Sequence, residues 1–471
     1  MKTQSIIATL GAFLGAFLGA FLGALWLSHQ TLASEADVPS TADQTAAQTT
    51  ESTTSIHWQA TTVTQTRGPS APPSYIASPS NALSKDPEIK TSFTTTAFLG
   101  LGLWPSLEVY VNPEISAGSG LSDTRGIAGF PNGEIYRVDS PGTKFEVSRV
   151  YMRSHIPLSD ELETVEDGPN QAPGRIPARR ITVVGGKFSL NDFFDLNTYA
   201  HDPRSQFLNW ALMDNGAWDY AADTRGYTVG LMIEYHDHDF ATRFATVLVP
   251  ESANAMTLDY NYPRSRGCNL EFEWGEQIQG HPGRLRLLAY ANHAHMGSYD
   301  EAVKLAGSQA PDITATRDDS VGGGAATGGR VKYGLGLNWE QELAKSLGFF
   351  SRIGWNDGKT ESWAFTEIDS TLSFGLSWKP FESRADRWGW AFIYNEISPD
   401  HRNYLAAGGL GFIIGEGGLT YGPEEILESY YSLSVTTGLS ASLDLQEVIH
   451  PAYNVDRDPI TIGALRFHYE Y

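Results

Sequence analysis

The chain has 471 residues, a formal net charge of −22 and only 19% charged residues. Such acidity argues against nucleic acid or an anionic membrane surface as partner, because both attract basic chains. One cysteine, Cys268, excludes an intrachain disulfide framework and a cysteine zinc cluster. With 47 glycines and 12% aromatic residues, the composition points to an all-β protein.

Met1-Lys2 is a short basic start, and the uncharged run Ile6–Leu27 repeats Gly-Ala-Phe-Leu three times. Thr31-Leu32-Ala33 then offers small residues for cleavage, so 1–33 reads as a secretory signal peptide. The run is also long enough for an uncleaved anchor. Residues 34–54 are rich in Ser, Thr and Ala, hold no aromatic, and read as a disordered linker. Aromatics continue from Trp58 to Tyr471, so 55–471 reads as one domain. After residue 28 no apolar run approaches the ~18 residues of a membrane helix, which leaves any membrane crossing to strands. Glu161–Pro177, rich in acid, Pro and Gly, reads as a loop. So does Gly307–Gly329, with its run Gly322-Gly323-Gly324.

The dominant pattern has period two. Val229, Leu231, Ile233 and Tyr235 alternate with Thr228, Gly230, Met232 and Glu234. Tyr333, Leu335, Leu337 and Trp339 alternate with polar or tiny residues, as do Leu372, Phe374, Leu376 and Trp378. Leu433, Val435 and Leu439 read as another such run. Each segment therefore has one apolar face and one polar or small face. A soluble sandwich would bury the apolar face, and an outer-membrane barrel would turn it to lipid. Aromatics at segment ends (Tyr235, Trp339, Trp378, Tyr394) and polar faces of Gly, Ser, Asn, Arg and Glu favour the barrel. About 415 residues at roughly 25 per strand and loop give a closed antiparallel barrel of about 16 strands. In the last strand, Ile460–Tyr471, Leu465, Phe467, Tyr469 and Tyr471 would face lipid. Arg466, His468 and Glu470 would face inward. A terminal aromatic such as Tyr471 suits recognition by the barrel-assembly machinery.

Candidate chemistry concentrates in 179–226: Arg180, Lys187, Asp192, Asp195, Asn197, Arg204, Asn209, Trp210, Trp218, Asp223 and Arg225. Glu234 follows on the next strand. Guanidinium and carboxylate groups hydrogen-bond sugar hydroxyls, and Trp faces stack on sugar rings. The same groups equally suit a salt-bridged barrel wall. Glu114, Glu134, Glu361 and Glu367 are carboxylates a glycosidase could use, but no spacing singles out an acid and a base. His236-Asp237-His238-Asp239 and His293-Ala294-His295 have metal-ligand chemistry and read better as strand-end residues. There is no HExxH, GxSxG or phosphate loop, and we expect no cofactor. Cys268 precedes the alternating Leu270, Phe272 and Trp274 and reads as inert.

Several strings, taken in order, resemble the carbohydrate-selective porins of the OprB type over nearly all of 55–471. They include Asn112-Pro113-Glu114, Asn132-Gly133-Glu134, Gly186-Lys187-Phe188 and Asp192-Phe193-Phe194-Asp195-Leu196-Asn197. Phe207-Leu208-Asn209-Trp210, Ala222-Asp223-Thr224-Arg225-Gly226-Tyr227 and Gly354-Trp355-Asn356-Asp357-Gly358 follow. The resemblance implies a 16-stranded barrel in the Gram-negative outer membrane that passes sugars by facilitated diffusion. It also implies a constriction lined by Arg, acidic and aromatic residues. The linker at 34–54 and the glycine run near 322 depart from the pattern. A general diffusion pore, a structural barrel and a barrel enzyme are the other readings.

Overall fold

The computed structural model describes residues 54–76, 80–104, 106–135, 142–317, 329–364 and 366–471. The expected signal peptide, the expected linker up to residue 53 and the Gly322-Gly323-Gly324 run lie outside the described residues.

The period-two segments become strands. In the first half these are β1 (Thr54–Arg67), β2 (Glu88–Trp104), β3 (Leu107–Gly118), β4 (Lys144–Pro157), β5 (Leu162–Val165), β6 (Gly174–Pro177), β7 (Arg179–Phe188), β8 (Thr228–Asp237) and β9 (Phe240–Val247). The second half holds β10 (Arg266–Ile278), β11 (His281–Ala294), β12 (Arg330–Ala344), β13 (Leu347–Asn356), β14 (Ser370–Trp378), β15 (Arg387–Glu396), β16 (Glu424–Thr436), β17 (Leu439–Ile449) and β18 (Ile460–Glu470). All but β5 and β6 form one closed antiparallel barrel of 16 strands, sealed by β18 on β1. Across that seam Thr61 faces His468 and Thr62 faces Phe467. Tyr471 continues the seam, exchanging backbone hydrogen bonds with Trp58 at 2.9 and 3.0 Å.

Connections differ between the two ends. At the end holding the start of β1 and the end of β18, five turns have two residues each. Gln279 and Gly280 both sit at positive φ (56° and 82°), as a type I′ hairpin turn requires. At the other end the connections are long, the longest being 189–227. Short helices Trp210–Met213, Tyr299–Ala306 and Pro399–Ala406 lie in these long connections.

Two sequence expectations change. The run through Leu433, Val435 and Leu439 is not one strand, because a turn at Thr437-Gly438, with Gly438 at φ 78°, divides β16 from β17. Glu161–Pro177 is not wholly loop, because 162–165 and 174–177 pair as the hairpin β5–β6.

The barrel's faces decide its solvent. Leu335, Ile353, Leu372, Leu443, Leu465 and Phe467 are exposed on the outer face. Asn338, Glu340, Arg352, Ser373, Arg466 and His468 are buried on the inner one. A soluble protein would reverse that arrangement, whereas lipid outside and polar groups inside satisfy both faces. Trp58, Trp104, Trp274, Trp378, Trp388 and Tyr471 are exposed near the short-turn end, an aromatic belt of the kind that marks a membrane interface.

Candidate functional site

The 189–227 connection turns into the barrel. Backbone placed there leaves water, so each N–H and C=O needs a partner. The inner wall supplies them. Glu428 of β16 accepts from the N–H of Leu208 (2.5 Å) and Asn209 (3.1 Å). Glu271 of β10 accepts from Asp195 N–H at 2.7 Å, and Glu340 of β12 from Thr198 N–H at 2.5 Å. Tyr290 of β11 and Asn356 of β13 both donate to the Ala217 carbonyl, at 2.9 and 3.1 Å. Arg466 of β18 donates to the carbonyls of Pro203 and Gln206, at 2.7 and 2.6 Å. Gly354 of β13 leaves room for Asn215, whose Oδ1 would lie only 1.9 Å from a Cβ added there. Phe207 fills the gap between Phe350 and Tyr430.

The loop thus occupies the side walled by β10–β17. The remaining cavity, about 1180 Å³, is walled by β18, β1–β4 and β7–β9. Among the described residues six guanidiniums line it, and each meets a carboxylate. Arg149 grips Asp192 with two hydrogen bonds, 2.7 and 2.5 Å. Arg204 Nε reaches Glu134 at 2.8 Å, and Thr94 also donates to that carboxylate. Arg153 meets Glu108 at 2.6 Å, Arg180 meets Glu163 at 2.6 Å, and Arg243 meets Glu234 at 2.5 Å. Arg225 pairs with Glu146. Between these pairs, Tyr227 donates its hydroxyl to Glu114, which also accepts from Thr96 at 2.9 Å. Trp210 stacks on Phe130, ring centroids 5.1 Å apart, at the cavity wall.

Of the sugar-contact candidates singled out by sequence, Arg180, Asp192, Arg204, Trp210, Arg225 and Glu234 line this cavity, as do the carboxylates Glu114 and Glu134. The others sit elsewhere. Asp195 is buried against Arg352 of β13 at 2.8 Å. Asn197 donates to Asn338 at 2.8 Å. Asn209 caps the 210–213 helix and reaches Gln446 of β17 at 3.0 Å. Trp218 donates to Asn269 of β10 at 3.0 Å. Lys187 donates to the Val147 carbonyl at 2.9 Å, beside Glu146. Asp223 accepts from the N–H groups of Arg225 and Tyr227 and so shapes a turn. Burial pushes the Asp223 carboxyl up to about 6, and does the same for Asp214.

Sequence reasoning passed over Arg149, Arg153 and His155 of β4, which line the cavity with Tyr151. A signal was present: these residues alternate with Val150, Met152 and Ile156, which are exposed on the outer face. Cys268 is partly exposed and free. Among the described residues no cluster of His, Cys, Asp or Glu has the arrangement of a metal site.

A family model for the carbohydrate-selective porin, OprB family, matches residues 81–471. The chain belongs to that family. The OprB fold is also seen in the high-pH structure of Pseudomonas putida OprB. At 16% identity it superposes with a TM-score of 0.65, over 89% of this chain and 94% of that one. Two fainter likenesses carry no argument. The low-pH structure of Pseudomonas putida OprB has 13% identity and a TM-score of 0.46, covering 88% and 93% of the two chains. The DcaP channel of Acinetobacter baumannii has 8% identity and a TM-score of 0.49, covering 89% and 97%. No curated protein matches the chain. As an OprB-family barrel it is a sugar porin, a channel of the Gram-negative outer membrane. Its short turns face the periplasm and its long loops the exterior.

Proposed function

We propose that this OprB-family barrel, the domain spanning 55–471, passes mono- and small oligosaccharides by passive, saturable diffusion through the cavity beside the 189–227 loop. The observation that carries the reading is the wall of six guanidinium–carboxylate pairs interleaved with Tyr227 and Trp210. A neutral polyol offers donors and acceptors together, so it can exchange water hydrogen bonds for either member of such a pair. Each exchange gains only about 1 kcal/mol net, so binding is weak and passage fast. Arg180, Arg204 and Arg225 would donate to hydroxyls, Asp192 and Glu234 would accept, and Trp210 would offer a ring edge. Lys187, Asp195, Asn197, Asn209, Trp218 and Asp223 would act by holding the loop that narrows the lumen. No covalent step is assigned. Glu114 and Glu134 are engaged by Tyr227 and Arg204, and Glu361 is engaged by Arg317. The outer face would meet lipid, and Tyr471 would be read by the assembly machinery.

Proteoliposome swelling with sugars and with amino acids of equal size tests this. Sugars should enter faster than amino acids, and Arg204→Ala or Arg180→Ala should slow sugars severalfold. Equal rates for the two solute classes would make the barrel a general diffusion pore. Unchanged sugar rates in both variants would remove those arginines from the path.

A further inference from the structure

Two connections at the short-turn end exceed two residues: 379–386 between β14 and β15, and the much longer one that follows β4. Between β4 and β7 the chain runs through 158–178 and builds the hairpin β5–β6 instead of a two-residue turn. The hairpin does not project away from the barrel. Its tip, residues 166–173, lies against inward-facing residues of β1 and β3. Asp167 meets His57 Nε2 at 3.1 Å, and the Gly168 carbonyl accepts from Ser55 Oγ at 3.2 Å. Asn112 Nδ2 donates to Asn170 Oδ1 at 2.9 Å, and Ala172 N–H donates to the Tyr110 hydroxyl at 3.0 Å. At the root, Arg180 holds Glu163 at 2.6 Å. The tip therefore spans the mouth from β4 and β7 to β1, and Asp167, Asn170 and Ala172 form part of the cavity wall.

The tip has shape of its own but little grip. Gly168 and Gln171 exchange backbone hydrogen bonds at 3.0 and 2.9 Å, and Gln171 Nε2 donates to the Glu166 carbonyl at 2.8 Å. Of residues 166–173 only Ala172 is buried. A two-stranded hairpin is marginal in water by itself, so the four contacts to β1 and β3 hold it in place. A segment with few buried apolar groups opens at low cost compared with the barrel wall.

We propose that the 166–173 tip is a displaceable gate at the periplasmic mouth, a specificity element beyond the lining of the lumen. Monosaccharides pass beside it, and longer saccharides must push it off His57, Ser55, Asn112 and Tyr110. The proposal rests on the sugar-porin reading, so the test separates the two.

Two variants bracket the gate. In one, Asn-Gly replaces 166–173, leaving β5 and β6 joined by a tight turn. In the other, Ser55→Cys and Gly168→Cys are joined by a short bis-methanethiosulfonate crosslinker, which forms a reducible disulfide to each cysteine with loss of methanesulfinate, with Cys268→Ser to remove the native thiol. Open space surrounds the Gly168 Cβ position, so the added side chain fits. Swelling is read with glucose and with maltotriose, and single-channel conductance is recorded alongside. The shortened barrel should raise the maltotriose-to-glucose ratio by about tenfold, as losing a few hydrogen bonds from a barrier would. The crosslinked barrel should lower the ratio, and reductant should restore it. An unchanged ratio in a shortened barrel that keeps its heat-modifiable migration overturns the gate, as does an unchanged ratio in the crosslinked one. Exclusion of glucose by the wild type would instead sink the porin reading. The gate would then stand or fall on whether the shortened barrel conducts more than the wild type.

Discussion

At the scale of single residues, the same side-chain chemistry serves two purposes inside this barrel. An inward Arg or Asp can face water in the lumen or hold loop backbone, and period two places both on one face. Arg180 and Arg225 reach the cavity, while Asp195 is clasped by Arg352, which also donates to the carbonyls of Asp195 (3.0 Å) and Leu212 (2.9 Å). Arg352→Ala would leave the Asp195 carboxylate buried without its partner. That should cost about 3–5 kcal/mol, read as a lower urea midpoint of the detergent-solubilised barrel. Asp223 supplies a pH dependence. Its carboxyl, held near 6 by burial against the usual 3.8, binds a proton between those values that the unfolded chain does not. The stability it contributes therefore grows as pH falls from about 6 toward 4 and is absent above that window. Amide exchange in the 223–227 turn, corrected for intrinsic rates, should be slower at pH 5 than at pH 7. Asp223→Asn should shrink the difference, and an undiminished difference would assign it to another group. The types of residue at the site were legible in the sequence. Their division between wall and socket was not, because only the path of the 189–227 backbone decides which inward groups it covers.

At the scale of elements, strands were the legible part, since alternation is written into each one locally. β8, β12, β14 and β18 follow the patterns read from sequence, with Leu465 and Phe467 outward and Arg466 and His468 inward. Elements set by long-range contacts were harder to read. The run of Leu433, Val435 and Leu439 hid the turn at Gly438, because a tight hairpin interrupts alternation by only two residues. The β5–β6 hairpin was hidden for a different reason. Its acid, Pro and Gly content matches a solvated loop, and its pairing depends on the mouth it lies against. β18 carries a prediction of its own. Tyr471 and Trp58 exchange two backbone hydrogen bonds where the barrel closes, and Trp58 packs at a tilt against Tyr469 with centroids 5.5 Å apart. Deleting Tyr471 removes both hydrogen bonds and an aromatic from the belt. The yield of folded, heat-modifiable barrel should fall. Tyr471→Phe, which keeps backbone and ring, should restore it. Normal yield from the deletion would show that the seam closes without its last residue.

At the scale of the whole molecule, the charge is unevenly spent. The chain carries a net −22. Among the described residues the cavity wall holds nine side-chain carboxylates and six guanidiniums, and every one of those guanidiniums is paired. Most of the surplus acid therefore lies off the solute path. A field concentrated in the lumen would select cations strongly. Paired charges a few ångströms apart largely cancel at longer range, and a Debye length of about 10 Å at 0.1 M salt screens what remains from the outer loops. We therefore expect a weak preference for cations in reversal-potential measurements across a salt gradient, fading as salt rises. Arg204→Ala would release Glu134 from its guanidinium and should strengthen that preference. Glu134→Gln should weaken or reverse it, because Arg204 is then left with a neutral partner. Shifts of opposite sign from the two variants would place this pair on the ion path as well as the sugar path. Near-ideal cation selectivity in the wild type would mean that the surplus acid faces the lumen after all. A pore of mixed sign suits a neutral solute for the same reason: it holds ions of neither sign strongly, while each member of a pair still offers hydrogen bonds to a hydroxyl that is donor and acceptor at once.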